Sequence, residues 1–366
     1  MPQVGIPYLF MRGGTSRGPY FRRSDLPEDL DHLAEVLIAA VGAGHSLNIN
    51  GIGGGAAVTT KVVMLSRSEL PNADIDYFFA QVAVDEPLVD YKPTCGNMLS
   101  GVAAAAVELG LMPAGDAETR VRIHAVNTGA RVEAVIQTPG AQPEYDGDTV
   151  IDGVPGSAAP VLLNFQDVVG SVTGALLPTG NARDVIDGIE VTCIDVAMPM
   201  VIAKASDFGL TGYESRDELD ANRDFYARME PMRIEAGQRM GMGDVSESVT
   251  PKFGLLAPPR DGGAITARYF MPWSCHPTMA VTGSQCLASC LLTPGTIADG
   301  MFAAPNDKPT LVRIEHPSGH IDVTVDYEQG ASGFQLNSAG LLRTARLIAR
   351  GEVMVPANVW DAQSGA

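Results

Sequence analysis

The chain has 366 residues, 45% of them hydrophobic, and a formal net charge of −18. That size allows two domains with substantial cores, and the composition excludes a disordered chain. The acidic balance argues against nucleic acid or anionic membrane surfaces as partners, so an anionic ligand would have to be held by local donors.

The opening apolar run, Ile6 to Met11, is short and leads into Arg12 and two glycines. It reads as a strand, not as a targeting segment. No stretch approaches the roughly 18 apolar residues that a membrane helix needs. Gly14-Thr15-Ser16-Arg17-Gly18 has the spacing of a hydrolase elbow, but Pro19-Tyr20-Phe21 beyond it is extended where that elbow requires a helix. Ser16 is therefore either a hydrogen-bonding group in a loop or part of a plain turn. Gly51-Ile52-Gly53-Gly54-Gly55-Ala56 fits G-x-G-x-x-G/A, yet it leads into the strand-like run Val58 to Leu65. The expectation is a glycine loop that lines a cleft with amides such as those of Gly53 and Gly54, not a nicotinamide or flavin site.

Lys61 lies on that strand among apolar and β-branched neighbours. It is either a lysine reaching from a sheet edge to solvent or a desolvated general base. Cys95, in Pro93-Thr94-Cys95-Gly96-Asn97, stands where a small-residue helix is expected over Met98 to Leu111. A helix apolar on nearly every side belongs inside a domain, so its first-turn N–H groups point inward, ready for a carboxylate. A thiol in that place is expected to have a lowered pKa. The five cysteines (95, 193, 275, 286 and 290) are an odd number without Cys-x-x-Cys pairs, which fits a reduced, cytoplasmic protein.

The second half echoes the first. Ile6 to Met11 is matched by Val191 to Asp195, Val58 to Leu65 by Val249 to Leu256 with Lys252 in the place of Lys61, and Ile75 to Ala80 by Ile265 to Phe270. Each half then reaches a small-residue helix, the second beginning near Thr282-Gly283-Ser284. The order predicts an α+β protein of two pseudo-repeated domains, each a curved sheet around a central helix. The expected domains are residues 1–185 and 186–366, with the join near Pro178-Thr179-Gly180-Asn181. If both helix starts face a cleft between the halves, their dipoles suit a substrate with two or three carboxylates. His276, just before the second helix, is either a donor lining that cleft or a loop histidine. His316 and His320 bracket a Pro-Ser-Gly turn and read as a hairpin, not a metal site.

Taken together, Met11-Arg12-Gly13-Gly14-Thr15-Ser16, Gly51-Ile52-Gly53-Gly54, Thr60-Lys61-Val62, Cys95-Gly96-Asn97, Asn127-Thr128-Gly129, Ile151-Asp152-Gly153-Val154-Pro155-Gly156, Leu177-Pro178-Thr179-Gly180-Asn181 and Leu342-Arg343-Thr344-Ala345-Arg346 carry a resemblance over nearly the whole chain. The sequence resembles the family of methylaconitate isomerases, methylitaconate Δ-isomerases and 4-oxalomesaconate tautomerases, which has the diaminopimelate epimerase fold, and the tautomerase branch is the nearest. The resemblance implies that Lys61 removes a proton from an allylic carbon, with Cys95 beside the reacting carbons. Ser16 and His276 would contact substrate, and Gly96, Asn97, Thr282, Gly283 and Ser284 complete the expected set of donors. The chain departs from the family at Arg17, where a lysine is usual, at Ala125-Val126 before Asn127, where Met-Glu is usual, and at Trp273-Ser274, where His-Arg follows the proline.

Epimerases of this fold use two cysteines, and the position matching the second one is Ala280. One thiol and one lysine point to a cofactor-free allylic isomerase acting on a small di- or tricarboxylate, with no metal, no nucleotide, no nucleic acid and no membrane partner; a homodimer is left open. The competing readings are an aconitate-type isomerase on another carboxylate, an amino-acid epimerase or racemase, and a carboxylate-binding protein without catalysis.

Overall fold

The computed structural model describes residues 2–306, 308–330 and 333–360. It separates into two compact units, Met1–Leu163 with Leu342–Ala366, and Asn164–Leu341. The first contains β1 (Gln3–Gly13), β2 (Ser16–Arg22), α1 (Leu30–Val41), β3 (Lys61–Arg67), β4 (Ile75–Val82), β5 (Val89–Asp90), α2 (Gly96–Leu99), α3 (Val102–Glu108), β6 (Glu118–Ala125) and β7 (Ala130–Gln137). β8 (Pro160–Gln166) crosses the division. The second contains β9 (Asp184–Ile186), β10 (Ile189–Asp195), β11 (Pro199–Lys204), α4 (Arg216–Ala221), α5 (Arg223–Arg239), β12 (Lys252–Ala257), β13 (Ile265–Phe270), α6 (Val281–Leu292), β14 (Thr310–His316) and β15 (Gly319–Gly330). β16 (Gly333–Pro356) runs from the second unit back into the first.

The repeat seen in sequence is a repeat of topology. In the first unit, β1–β2 is antiparallel, β2–β3 parallel, β3–β4 antiparallel, β4–β6 parallel and β6–β7 antiparallel. In the second, β10–β11, β11–β12, β12–β13, β13–β14 and β14–β15 follow the same alternation. Lys61 and Lys252 each open the third strand of their set, and Ile75 and Ile265 each open the fourth.

The units do not divide where the repeat ends. The expected join near Pro178 gives way because β16 is 24 residues long and its far end pairs with β1, from Gln3↔Pro356 to Gly13↔Ala345. The last strand of the second repeat thus completes the first unit, a pairing that a repeat read along the chain does not reveal.

In each unit helices cover both faces of the strands, which explains the continuous apolar runs of those in parallel pairs. In the first unit, Leu33, Val36, Leu37, Ala40 and Val41 of α1 pack with Val62 and Met64 of β3. Lys61, Val63 and Leu65 alternate to the opposite face. Tyr20 of β2 marks that face as the one holding α2, since its hydroxyl donates to the Met98 carbonyl at 2.5 Å. In the second unit, Phe253 and Leu255 of β12 pack with Phe225 and Met229 of α5. Leu256 packs with Cys286 and Leu287 of α6, so Lys252, Gly254 and Leu256 face the central helix.

The expected helix Met98 to Leu111 is two short pieces, α2 and α3, separated at Ser100-Gly101. Tyr20 takes the Met98 carbonyl, and the Gly101 N–H donates to that same oxygen at 3.0 Å in a tighter turn. A Cβ on Gly101 would lie 2.4 Å from the Tyr20 hydroxyl, so only glycine admits the ring there. At the other end Gly110, with φ of +68°, stops the helix while the Leu111 N–H donates to the Ala106 carbonyl.

Candidate active site

In the first unit Cys95, Gly96 and Asn97 form the start of α2, and Ser16 of β2 and Lys61 of β3 lie on strands of the sheet face that carries this helix. Cys95 is extended, at φ −132° and ψ 104°, and is the residue before the helix. It is partly exposed, whereas the other four thiols are buried. Tyr77 of β4 donates to its carbonyl at 3.0 Å. Burial holds the Tyr20 and Tyr77 phenols well above their usual range, so both remain donors beside the thiol. The Gly13-Gly14 turn presses on Asn97: a Cβ on Gly14 would lie 2.2 Å from its Oδ1, and one on Gly13 2.4 Å from its carbonyl. Asn97 Nδ2 donates to Thr15 Oγ1 at 3.0 Å, and Gly14 N–H donates to Thr344 O at 2.9 Å.

Ser16 and Gly18 alternate with Tyr20 on β2 and share its face. Ser16 is 3% exposed, and its hydroxyl has no hydrogen-bond partner among the described residues. A buried hydroxyl left unpaired is costly unless a ligand completes it.

Lys61 Nζ donates to Gln81 Oε1 at 2.6 Å across the β3–β4 ladder. It also stands 5.2 Å from the centre of the Phe79 ring, which is 6.4 Å from that of Tyr77. The Asn127 motif supports this arrangement from behind: its amide accepts from Phe79 N–H at 2.9 Å and donates to Phe79 O at 2.9 Å and Tyr91 O at 2.6 Å. Gly18 is needed for close approach, since a Cβ there would lie 1.8 Å from the Lys61 carbonyl. Gln81, Phe79, Tyr77 and Tyr20 were not singled out from sequence. Strand register alone reveals them.

The glycine loop does not do what was expected of it. The N–H of Gly53 donates to Val41 O, that of Ile52 to Ala40 O, and that of Gly51 to Asn48 O, each at 3.0 Å. Gly55 N–H donates to Asn48 Oδ1 at 2.8 Å. The Ile52 and Gly53 amides close the C-terminal end of α1, whose last carbonyls need donors, and those of Gly51 and Gly55 fold the loop onto Asn48. Gly53 therefore leaves the donor set, and Gly54 is exposed, with Arg17 3.0 Å from where its Cβ would be.

In the second unit, His276 and the start of α6 meet at Tyr269. The rings of His276 and Tyr269 are 5.8 Å apart, and His276 N–H donates to Tyr269 O at 2.8 Å. His276 Nδ1 accepts from Thr278 N–H at 3.0 Å, which leaves the proton of the neutral ring on Nε2. Burial pushes the ring below its usual range, and positive charge on Arg216 and Lys252 adds to this. Thr282 is partly exposed in the first turn of α6. Two expected donors are withdrawn. Ser284 is fully buried and donates to Val281 O at 2.8 Å within its own helix. Gly283 is buried against Tyr269, 2.6 Å from where its Cβ would be, so it serves packing and not access to the backbone.

Helix caps separate surface helices from site helices. Asp29, Ser215 and Asn222 cap α1, α4 and α5 with side-chain oxygens. Cys95 and Ala280, which precede α2 and α6, make no side-chain cap. First-turn N–H groups without a side-chain acceptor suit an anion. Ala280 holds in the second unit the place that Cys95 holds in the first, and burial pushes the nearby Cys275 thiol up to about 11.

The structure is similar to that of methylitaconate-delta-isomerase, with a TM-score of 0.89 at 32% identity over 99% of each chain. The sequence is 44% identical to 4-oxalomesaconate tautomerase of Pseudomonas putida over 98% of this chain and 99% of that one. It is 35% identical to 3-methylitaconate isomerase of Eubacterium barkeri over 96% and 98%. The fold is the α+β, diaminopimelate epimerase-like one, and the protein is an isomerase. The PrpF protein family model matches residues 3–356, and the chain belongs to that family.

Proposed function

We propose that this isomerase moves a double bond by 1,3-allylic proton transfer in a small unsaturated di- or tricarboxylate, with 4-oxalomesaconate the first candidate. Lys61 in its neutral form takes a proton from the allylic carbon: the C–H bond breaks, an N–H bond forms, and a dienolate remains. The ammonium then returns the proton to the far end of the conjugated system. The observation that carries the reading is the placing of Lys61 on Gln81 and Phe79, on the face of the sheet where the uncapped Cys95 helix start lies. Ser16, Asn97 and the amides of Gly96 and Asn97 are the carboxylate donors of this reading in the first unit, and His276 and Thr282 are candidate donors in the second. Preset donors of this kind also stabilise the anionic intermediate. Ala280 in place of a second thiol speaks against a two-base epimerase.

Independence from nucleotide and flavin belongs to the same proposal. In support, the Ile52 and Gly53 amides of the glycine loop are taken by α1, and the loop leads into β3 where the dinucleotide fingerprint leads into a helix. The reading includes no nucleic-acid partner, in keeping with the formal net charge of −18, and a cytoplasmic setting, in keeping with five free thiols. Proton NMR in deuterated water with a panel of unsaturated di- and tricarboxylates tests it. Label at both allylic ends of one substrate is expected; inversion at a single stereocentre without movement of the double bond would overturn it.

A further inference from the structure

Lys252 presents a half-buried ammonium to the α6 face of its sheet. Unlike Lys61, it has no hydrogen-bond or carboxylate partner among the described residues. Acids that neighbour Arg233 and His276 are committed elsewhere. Both oxygens of Glu230 accept from Arg233 at 2.7 Å, and Asp220 accepts from Cys275 N–H, Tyr226 and Arg216. Arg233 in turn donates to Val245 O at 3.0 Å and to Pro251 O at 3.3 Å, which fixes the backbone immediately before Lys252. A held, half-desolvated cation without a counter-charge is unfavourable unless an anion arrives from solution.

We propose that Lys252, with the Nε2–H of His276, forms a carboxylate-binding subsite in the second unit. Taking that carboxylate to be the substrate's rests on the function proposed above. Burial and the Arg233 charge lower the affinity of Lys252 for its proton, and an incoming carboxylate would reverse this. His276 is tied to Tyr269, which pairs with Gly254, the next residue after Lys252 on the same face of β12, and it supplies a directed neutral donor instead of a second fixed charge.

The test uses the full chain and tricarballylate, a saturated tricarboxylate that cannot isomerise. Titration calorimetry with Lys252→Met is expected to show binding weakened about tenfold or more, the usual range for loss of a charge-assisted contact. Lys252→Arg should recover most of it. Thermal melting supplies the readout that a structural lysine would move the other way: Lys252→Met should keep or raise the Tm, because a strained charge has been removed. Unchanged affinity in Lys252→Met overturns the subsite, as does a drop in Tm large enough to account for the lost binding. Failure of the wild-type protein to bind tricarballylate also overturns it. Isomerisation of an unsaturated tricarboxylate by that same wild-type protein would still uphold the function, so the two failures are told apart.

Discussion

The two units present one topology with two chemistries. In both, the third strand opens on a lysine that faces the central helix, and the helix start lacks a side-chain cap. The first unit gives its lysine an amide oxygen and an aromatic face, and places a thiol at the helix start. The second leaves its lysine without a hydrogen-bond partner among the described residues, has Ala280 in place of the thiol and adds a half-buried histidine. On the function proposed above, the duplicated scaffold would separate proton transfer from grip, with Lys61 and Cys95 in one copy and Lys252 and His276 in the other.

The sharpest way to break this comparison is to exchange the lysines' fates. Lys61→Met is expected to lower turnover about a hundredfold to ten-thousandfold, the usual cost of losing a general base, with the fold intact by circular dichroism. Lys252→Met should act mainly on KM. If the folded Lys61→Met protein kept more than about a tenth of the wild-type rate, Lys61 would not be the base.

Cys95→Ala should reduce turnover less than Lys61→Met, because a one-base shuttle runs without a second proton donor. Cys95→Ser should still exchange substrate protons with deuterated water. Complete loss of exchange in both cysteine variants would put a two-base mechanism back in place and erase the distinction between the units.

Much of this was legible in the sequence because it depends on local order. Lys61, Cys95, the paired Lys252 and the small-residue helices could be placed from periodicity and from the echo between halves. What escaped depends on register and return. Gln81 and Phe79 matter only because β4 lies antiparallel to β3 with Gln81 opposite Lys61. The domain division depends on β16 running back to β1. The glycine loop misled because a run of glycines shows that the backbone is closely approached, not what approaches it; here it is the end of α1. Gly283 misled in the same way, its missing side chain making room for Tyr269.

A smaller effect sharpens the grip side of the comparison. Thr282→Val preserves shape and removes a hydroxyl in the first turn of α6, so KM should rise a few-fold, about the worth of one neutral hydrogen bond, with kcat nearly unchanged. A larger fall in kcat than in substrate affinity would show that the second unit takes part in the chemical step.

The smallest expected effect lies in acid stability, where equivalent positions of the repeat differ. Thr266↔Glu315 of β13–β14 occupies the place that Asp76↔His124 holds in β4–β6. Asp76 and His124 form a partly exposed pair at 3.0 Å. Glu315 is buried and accepts from the N–H groups of Arg260, Asp261 and Gly263 and from the Thr266 hydroxyl. Burial opposes its charge, but these donors outweigh burial and hold the carboxylate down at about 2, against an ordinary value of 4.5. A carboxylate with a depressed native pKa stabilises the fold fully above its unfolded pKa, and that contribution fades as pH falls toward the native value. Glu315→Gln should therefore be less stable than wild type near neutral pH, with the gap in Tm narrowing between about pH 4.5 and pH 2. A gap that stayed constant over that range would mean that Glu315 contributes shape alone, and that the second unit owes nothing to its charge.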